Sequence, residues 1–107
     1  MPAYMIQASY SSGATASMIK NPQDRSAVVS KMIKAAGGKL SGFWLSFGDY
    51  DLVAIAEMPD NITAAALAMA IGSSGAMSAY KTTPLMTPAE SMEAMKKASE
   101  VGYKPPK

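Results

Sequence analysis

Apolar and polar residues alternate in four short stretches of the chain, and apolar residues recur at helical spacing in longer ones. Alternation with a period of two is typical of β-strands, whereas apolar residues at i, i+3, i+4 and i+7 indicate an amphipathic helix. Strands are predicted over residues 3–10, 39–47, 50–58 and 76–85; helices are predicted over residues 23–36, 61–71 and 88–101, with a weakly helical piece over residues 14–20.

The second and third predicted strands meet at Gly48-Asp49. This pair predicts a tight hairpin turn, because glycine takes the positive φ that such turns need and aspartate tolerates it. In the third strand Leu52 and Ala54 are apolar on one face, and Val53 and Ile55 are apolar on the other. A strand that is apolar on both faces is expected to be covered on both faces.

The ends of the helices carry recognisable signals. Gly37-Gly38 predicts the end of the first long helix, Asp60 is a plausible N-cap for the second, and Thr87-Pro88-Ala89-Glu90 has the form of a capping box for the third. The helix after Asp60 carries no charge, so we expect it to contact more than its own sheet. In the last helix, Met92 and Met95 are predicted to lie on the inner side.

The order of elements is β-α-β-β-α-β followed by a C-terminal helix, which predicts an α+β, ferredoxin-like fold. Right-handed crossovers place both main helices on one face of an antiparallel sheet and leave the other face bare. The cover expected for that face is a second copy of the sheet, which gives a homodimer of the dimeric α+β barrel type and leaves room for a higher oligomer.

At 107 residues the chain is expected to form one domain, over residues 1–98, with the helix end and an extended tail over residues 99–107. Only 17% of its residues are charged, which favours a surface partly hidden in an interface. The net charge of +2 without a polybasic run argues against a nucleic-acid partner. No signal peptide and no membrane span is recognised, so we expect a cytoplasmic protein without a membrane partner.

The chain contains neither cysteine nor histidine. Their absence excludes disulfides, thiolate nucleophiles, zinc sites of the usual kind and Ser-His relays. The ten methionines fall mostly in predicted helices and strands, which favours packing over a copper(I) site. We therefore expect no metal and no resident cofactor.

Several short motifs are informative in combination. They are Gly48-Asp49-Tyr50-Asp51 at the hairpin, Gly37-Gly38-Lys39, Phe43-Trp44, the alanine-rich helix over residues 60–69, Gly72-Ser73 and Pro84-Leu85. Together these motifs resemble those of the GYD domain family. The family is named for a glycine-tyrosine-aspartate signature, and the resemblance covers roughly residues 3–95. It implies a ferredoxin-like relative of the dimeric α+β barrels. It implies no reaction, because the family has no established activity.

Asp51 and Tyr50 are the candidate catalytic residues, since a carboxylate beside a phenol could serve as base and acid in a cleft. The alternative is that Asp51 accepts hydrogen bonds from turn amides and Tyr50 packs.

Five further residues are candidates for ligand binding. The aromatic side chains, a set that also contains Tyr10 and Phe47, could line an apolar pocket between sheet and helices, and a lysine could contact an anion. The alternatives are core or dimer packing for the aromatics and a solvated sheet edge for the lysine. The candidates are Tyr4, Phe43, Trp44, Tyr80 and Lys81.

These observations support three hypotheses about function. The first is a homodimeric module that binds a small apolar or aromatic ligand, or simply a partner. The second is a cofactor-independent monooxygenase or isomerase that acts on such a molecule, with Asp51 as the base. The third is a structural protein that assembles through the helix around Ala68.

Overall fold

The secondary structure follows the predicted order and contains one more complete helix. The computed structural model describes residues 1–107. Its elements are β1 (Ala3–Tyr10), α1 (Ser12–Lys20), α2 (Ser26–Ala35), β2 (Lys39–Leu45), β3 (Leu52–Glu57), α3 (Asn61–Ser73), β4 (Met77–Leu85) and α4 (Pro88–Val101).

The four strands form one antiparallel sheet in the order β2-β3-β1-β4. The centre of the sheet is β1, where Ile6 pairs with Ala54 of β3 and with Thr82 of β4. This is the strand order of a ferredoxin-like fold, so the predicted α+β class is confirmed.

The hydrophobic core lies on one face of the sheet, under α2 and α3. Alternate residues of β1 and β3 point to this face, and Ile33 of α2 and Leu67 of α3 close it from above. Both main helices therefore share one face, as the crossover rule predicts. The buried core cluster contains Tyr4, Ile6, Ile33, Ala54, Ala56, Met58, Ala64 and Leu67.

Two helix boundaries differ from the prediction, and at both a polar side chain accepts a hydrogen bond from a nearby backbone N–H. The weakly helical piece is a full helix, α1, in which the Ser11 hydroxyl accepts a hydrogen bond from Ala14 N at 3.2 Å. Helix α2 begins at Ser26 rather than at residue 23, because the Asp24 carboxylate accepts hydrogen bonds from Ser26 N and Oγ at 2.9 and 2.6 Å. These two hydrogen bonds lower the pKa of Asp24.

The connection between β2 and β3 is a longer loop than the predicted tight turn. Positive φ occurs only at Gly37, Gly75 and Gly102, so the expected glycine conformation at Gly48 is wrong. The loop is closed instead by Ser46, whose N donates to Asp51 O at 2.7 Å and whose Oγ donates to Tyr50 O at 2.8 Å. Because these bonds fix both ends of the loop, the strands stop at Leu45 and resume at Leu52.

A β-bulge changes the side-chain pattern of β4. Simple alternation predicts Met77 on the same face as Lys81. The register with β1 shifts between Ser9 and Tyr10, so that Met77 pairs with Tyr10 while Ala79 pairs with Ser9. The extra residue moves Met77 to the face covered by the helices.

Helix α4 begins as predicted but does not pack on its own sheet. The capping box between Thr87 and Glu90 is present in both directions. Every residue of α4 except Ser91 is exposed, and the predicted inner positions Met92 and Met95 are 59% and 67% exposed. The projecting helix raises the radius of gyration to 17.1 Å, against about 13 Å for a compact chain of about 100 residues.

The second face of the sheet, the bare face, has no helix over it. It presents Met5, Val53 and Ile55 from the central strands and Trp44 from β2. Trp44 is 58% exposed, and its indole ring lies against Gly42. None of the four helices is long and apolar enough to cross a lipid bilayer.

Gly38, between α2 and β2, is required by space rather than by φ. A Cβ at Gly38 would lie 2.5 Å from Glu57 O and 2.8 Å from Met58 Sδ. We expect Gly38→Ala to lower the free energy of unfolding by about 1–3 kcal/mol, because the backbone oxygen can move only with its strand. Gly13→Ala is the control: a Cβ there meets nothing within 4 Å, and we expect no loss of stability. Urea unfolding measures both, and equal midpoints for the two variants would contradict the expectation.

Candidate functional site

An apolar cavity lies between the sheet and the two main helices. Its volume is about 260 Å³, and all of its lining residues except Arg25 and Ser74 are apolar or aromatic. An apolar cavity of about 150 Å³ is enough to hold benzene. This inner cavity is therefore large enough for a bicyclic aromatic molecule. Its walls include Ile6, Ala8, Leu52, Ala54, Val29, Ile33, Leu67, Ile71, Met77 and Tyr80.

A wider, more polar cleft lies beside the inner cavity. This outer cleft of about 670 Å³ runs between α1, the α1–α2 connection and the end of β2, and Asp51 lies in its wall. Tyr10, Arg25 and Phe43 line both the cleft and the cavity. These three side chains therefore mark the boundary between an open, polar approach and an apolar interior.

Asp51 ties the hairpin loop to the end of β1. Its Oδ2 accepts a hydrogen bond from Tyr10 N at 2.9 Å, and its own N donates to Ala8 O at 2.9 Å. Asp51 thus accepts a backbone hydrogen bond, but from the end of β1 and not, as the alternative to catalysis had it, from an amide of the turn. Tyr50 is partly buried and lines neither the inner cavity nor the outer cleft. Its carbonyl oxygen accepts the hydrogen bond from Ser46 Oγ. The catalytic assignment of Asp51 and Tyr50 stays a prediction.

The structure brings together only part of the predicted ligand-binding set. Phe43 and Tyr80 line the inner cavity. Tyr4 is buried in the core, where its hydroxyl donates to Asn61 Oδ1. Trp44 and Lys81 pair with Val53 and Gln7, so they lie on the bare face, on the opposite side of the sheet from the cavity.

Both tyrosines of the cavity keep their protons at neutral pH. Burial raises the pKa of Tyr10; Arg25 opposes this rise and Asp51 adds to it. Burial also raises the pKa of Tyr80, and the nearby Thr82 hydroxyl offsets part of the rise. The Tyr80 and Thr82 hydroxyl oxygens are buried without a partner of hydrogen-bonding geometry. Both phenols therefore carry a proton to donate, but the Tyr80 hydroxyl is buried beside Thr82 and is not exposed to a ligand in the cavity.

The sequence prediction did not include Arg25 or Met77 among the ligand-binding residues. Arg25 is the only arginine of the chain, and this single guanidinium was a signal that could have drawn attention to it. Met77 lines the cavity because of the bulge in β4, and no residue of this strand predicts a bulge.

Comparison with known proteins identifies one family. The family model described as GYD domain matches residues 4–95. The match spans the sheet, the residues that line the inner cavity and the outer cleft, and the first part of α4. No curated protein and no solved structure is significantly similar to the chain.

Proposed function

Since the chain belongs to the GYD domain family, we propose that it is a homodimeric module that binds a small apolar or aromatic molecule in the inner cavity. The observation that carries the proposal is the cavity itself, which is apolar on nearly all sides and opens beside a polar cleft. The enzymatic and structural alternatives stay predictions.

The chemistry of the walls favours an organic ligand over water. A buried water needs two to four polar partners, and the inner cavity offers few polar side chains besides Arg25 and Ser74. An apolar molecule gains about 25 cal/mol for each Å² of its surface that leaves water. For a molecule of two fused rings, this burial supports a dissociation constant between roughly 10 µM and 1 mM after the cost of association.

The proposal of a homodimer is supported by the bare face and by α4. Four strands about 4.8 Å apart and about 20 Å long give a flat sheet area of roughly 400 Å². A stable interface needs roughly 800 Å² on each partner. The apolar side of α4, with Met92, Met95 and Ala98, is exposed and can supply further contact area. Two bare faces packed together, with each α4 laid against the partner, would cover both surfaces.

Ligand binding is tested with 2-naphthamide, a neutral bicyclic probe, by isothermal titration calorimetry. We expect the protein to bind this probe, and we expect Ala70→Phe to weaken binding at least about tenfold, because residue 70 lines the cavity and the phenyl ring would fill part of it. Ala66→Phe is the matched control: Ala66 and Ala70 are both exposed and lie one turn apart on α3, but Ala66 lies outside the cavity lining. If neither this probe nor another derivative of the same ring system binds to the unmodified protein, the proposed function is refuted.

A further inference from the structure

Arg25 lies at the boundary between the outer cleft and the inner cavity, and it makes no hydrogen bond to a charged group. Arg25 immediately precedes α2 and is partly buried. Its Nη1 donates to the neutral amide oxygen Gln23 Oε1 at 3.0 Å. A guanidinium has five N–H donors in a planar fork that matches a carboxylate. Most of the donor capacity of Arg25 is therefore not used by this bond.

Tyr10 supplies a second donor at the same boundary. Like Arg25, it lines both the outer cleft and the inner cavity. The two groups lie close enough for the guanidinium to affect the pKa of the phenol. A protonated phenol and a guanidinium at one opening are well suited to bind an anionic oxygen.

Both carboxylates of the outer cleft already accept hydrogen bonds from the protein. Asp24 accepts from Ser26 N and Oγ, and Asp51 Oδ2 accepts from Tyr10 N. Neither carboxylate lines the inner cavity, where Arg25 is the only charged residue. Both carboxylates keep their negative charge in the cleft. A ligand carboxylate on the cavity side of Arg25 is therefore attracted by the guanidinium, whereas a second negative charge extending into the cleft would meet the two carboxylates.

We propose that the ligand class is a small apolar or aromatic monocarboxylic acid, whose carboxylate is bound by Arg25 and Tyr10 while its apolar body fills the inner cavity. This inference rests on the proposed function and adds the chemical group that selects the ligand. The apolar walls provide affinity for any molecule of suitable size, and the guanidinium discriminates the acid from its neutral analogues.

The experiment compares 2-naphthoate with 2-naphthamide, which have the same ring system and nearly the same shape. Affinities are measured by calorimetry at pH 7 for the unmodified protein, Arg25→Gln, Arg25→Lys and the control Lys34→Gln. A hydrogen bond to a charged group contributes about 1.5–3 kcal/mol, so we expect the acid to bind at least about tenfold more tightly than the amide. Arg25→Gln should bring the ratio of affinities to about one, and Arg25→Lys should retain part of it.

Lys34→Gln removes the same charge from the exposed surface of α2, the helix that Arg25 precedes, and should leave the ratio unchanged. Circular dichroism establishes that each variant is folded. Equal binding of acid and amide, or an unchanged ratio in Arg25→Gln, would overturn the assignment of the acid while leaving the proposed function intact. If neither probe binds, the proposed function and the inference fail together.

Discussion

Ile55→Glu should convert the proposed homodimer to a monomer. Ile55 lies on β3 in the middle of the bare face, where it pairs with Met5 and Gly42. In a two-fold dimer the substitution places one carboxylate from each copy in an apolar interface, and burial of an unpaired charge is strongly unfavourable. We expect a loss of at least about 3 kcal/mol, which is more than a hundredfold in the dissociation constant of the dimer.

Size-exclusion chromatography with light scattering measures this change directly. Ala27→Glu is the matched control, because it adds the same charge at an exposed position of α2 on the other side of the sheet. The unmodified protein and this control should both have twice the mass of the chain. A monomeric unmodified protein would refute the dimer, and an Ile55→Glu variant that remains dimeric would exclude the bare face as the interface.

Leu67→Ala should cause a large loss of stability, because Leu67 joins α3 to the sheet. Its side chain is 7% exposed, belongs to the core cluster and also forms part of the cavity wall. Removing a buried leucine costs about 2–5 kcal/mol, and the cost increases with the volume left empty. Since a cavity already lies beside Leu67, we expect a value in the upper half of this range. In a domain of this size that corresponds to a fall in melting temperature of about 15–30 °C.

Ile62→Ala provides the comparison, because Ile62 lies on the same helix and is 81% exposed. We expect that variant to change the free energy of unfolding by less than about 0.5 kcal/mol. Differential scanning calorimetry at one protein concentration keeps any contribution from association constant. A loss below about 1 kcal/mol for Leu67→Ala would mean that α3 is not anchored to the sheet by this residue.

The fold was predictable because its local signals agree with one another. The Thr87–Glu90 capping box, the Asp60 N-cap and the left-handed Gly37 each appear in the structure where the sequence indicates them. The hairpin signal at Gly48-Asp49 located the turn correctly but not its form. Hydrogen bonds from Ser46 to the backbone of Tyr50 and Asp51 determine the loop, and no propensity rule for glycine represents them.

The candidate site was less predictable because it depends on contacts between distant elements. Alternation along β2 places Phe43 and Trp44 on opposite faces, but it does not say which face the helices cover. Tyr10 and Arg25 are brought together through the path of α1 and its connection to α2. The orientation of Met77 depends on a bulge set by the pairing with β1. Each of these features is a property of the assembled fold.

Because Trp44 lies on the bare face, its fluorescence reports on that face and not on the inner cavity. Trp44 is the only tryptophan, it is 58% exposed, and the sheet lies between it and the inner cavity. Its fluorescence emission therefore responds to the solvation of the bare face and is little affected by filling of the cavity. Dilution of a dimer joined through this face would shift the emission to longer wavelength, so intrinsic fluorescence can follow subunit exchange in the presence of ligand without an added dye.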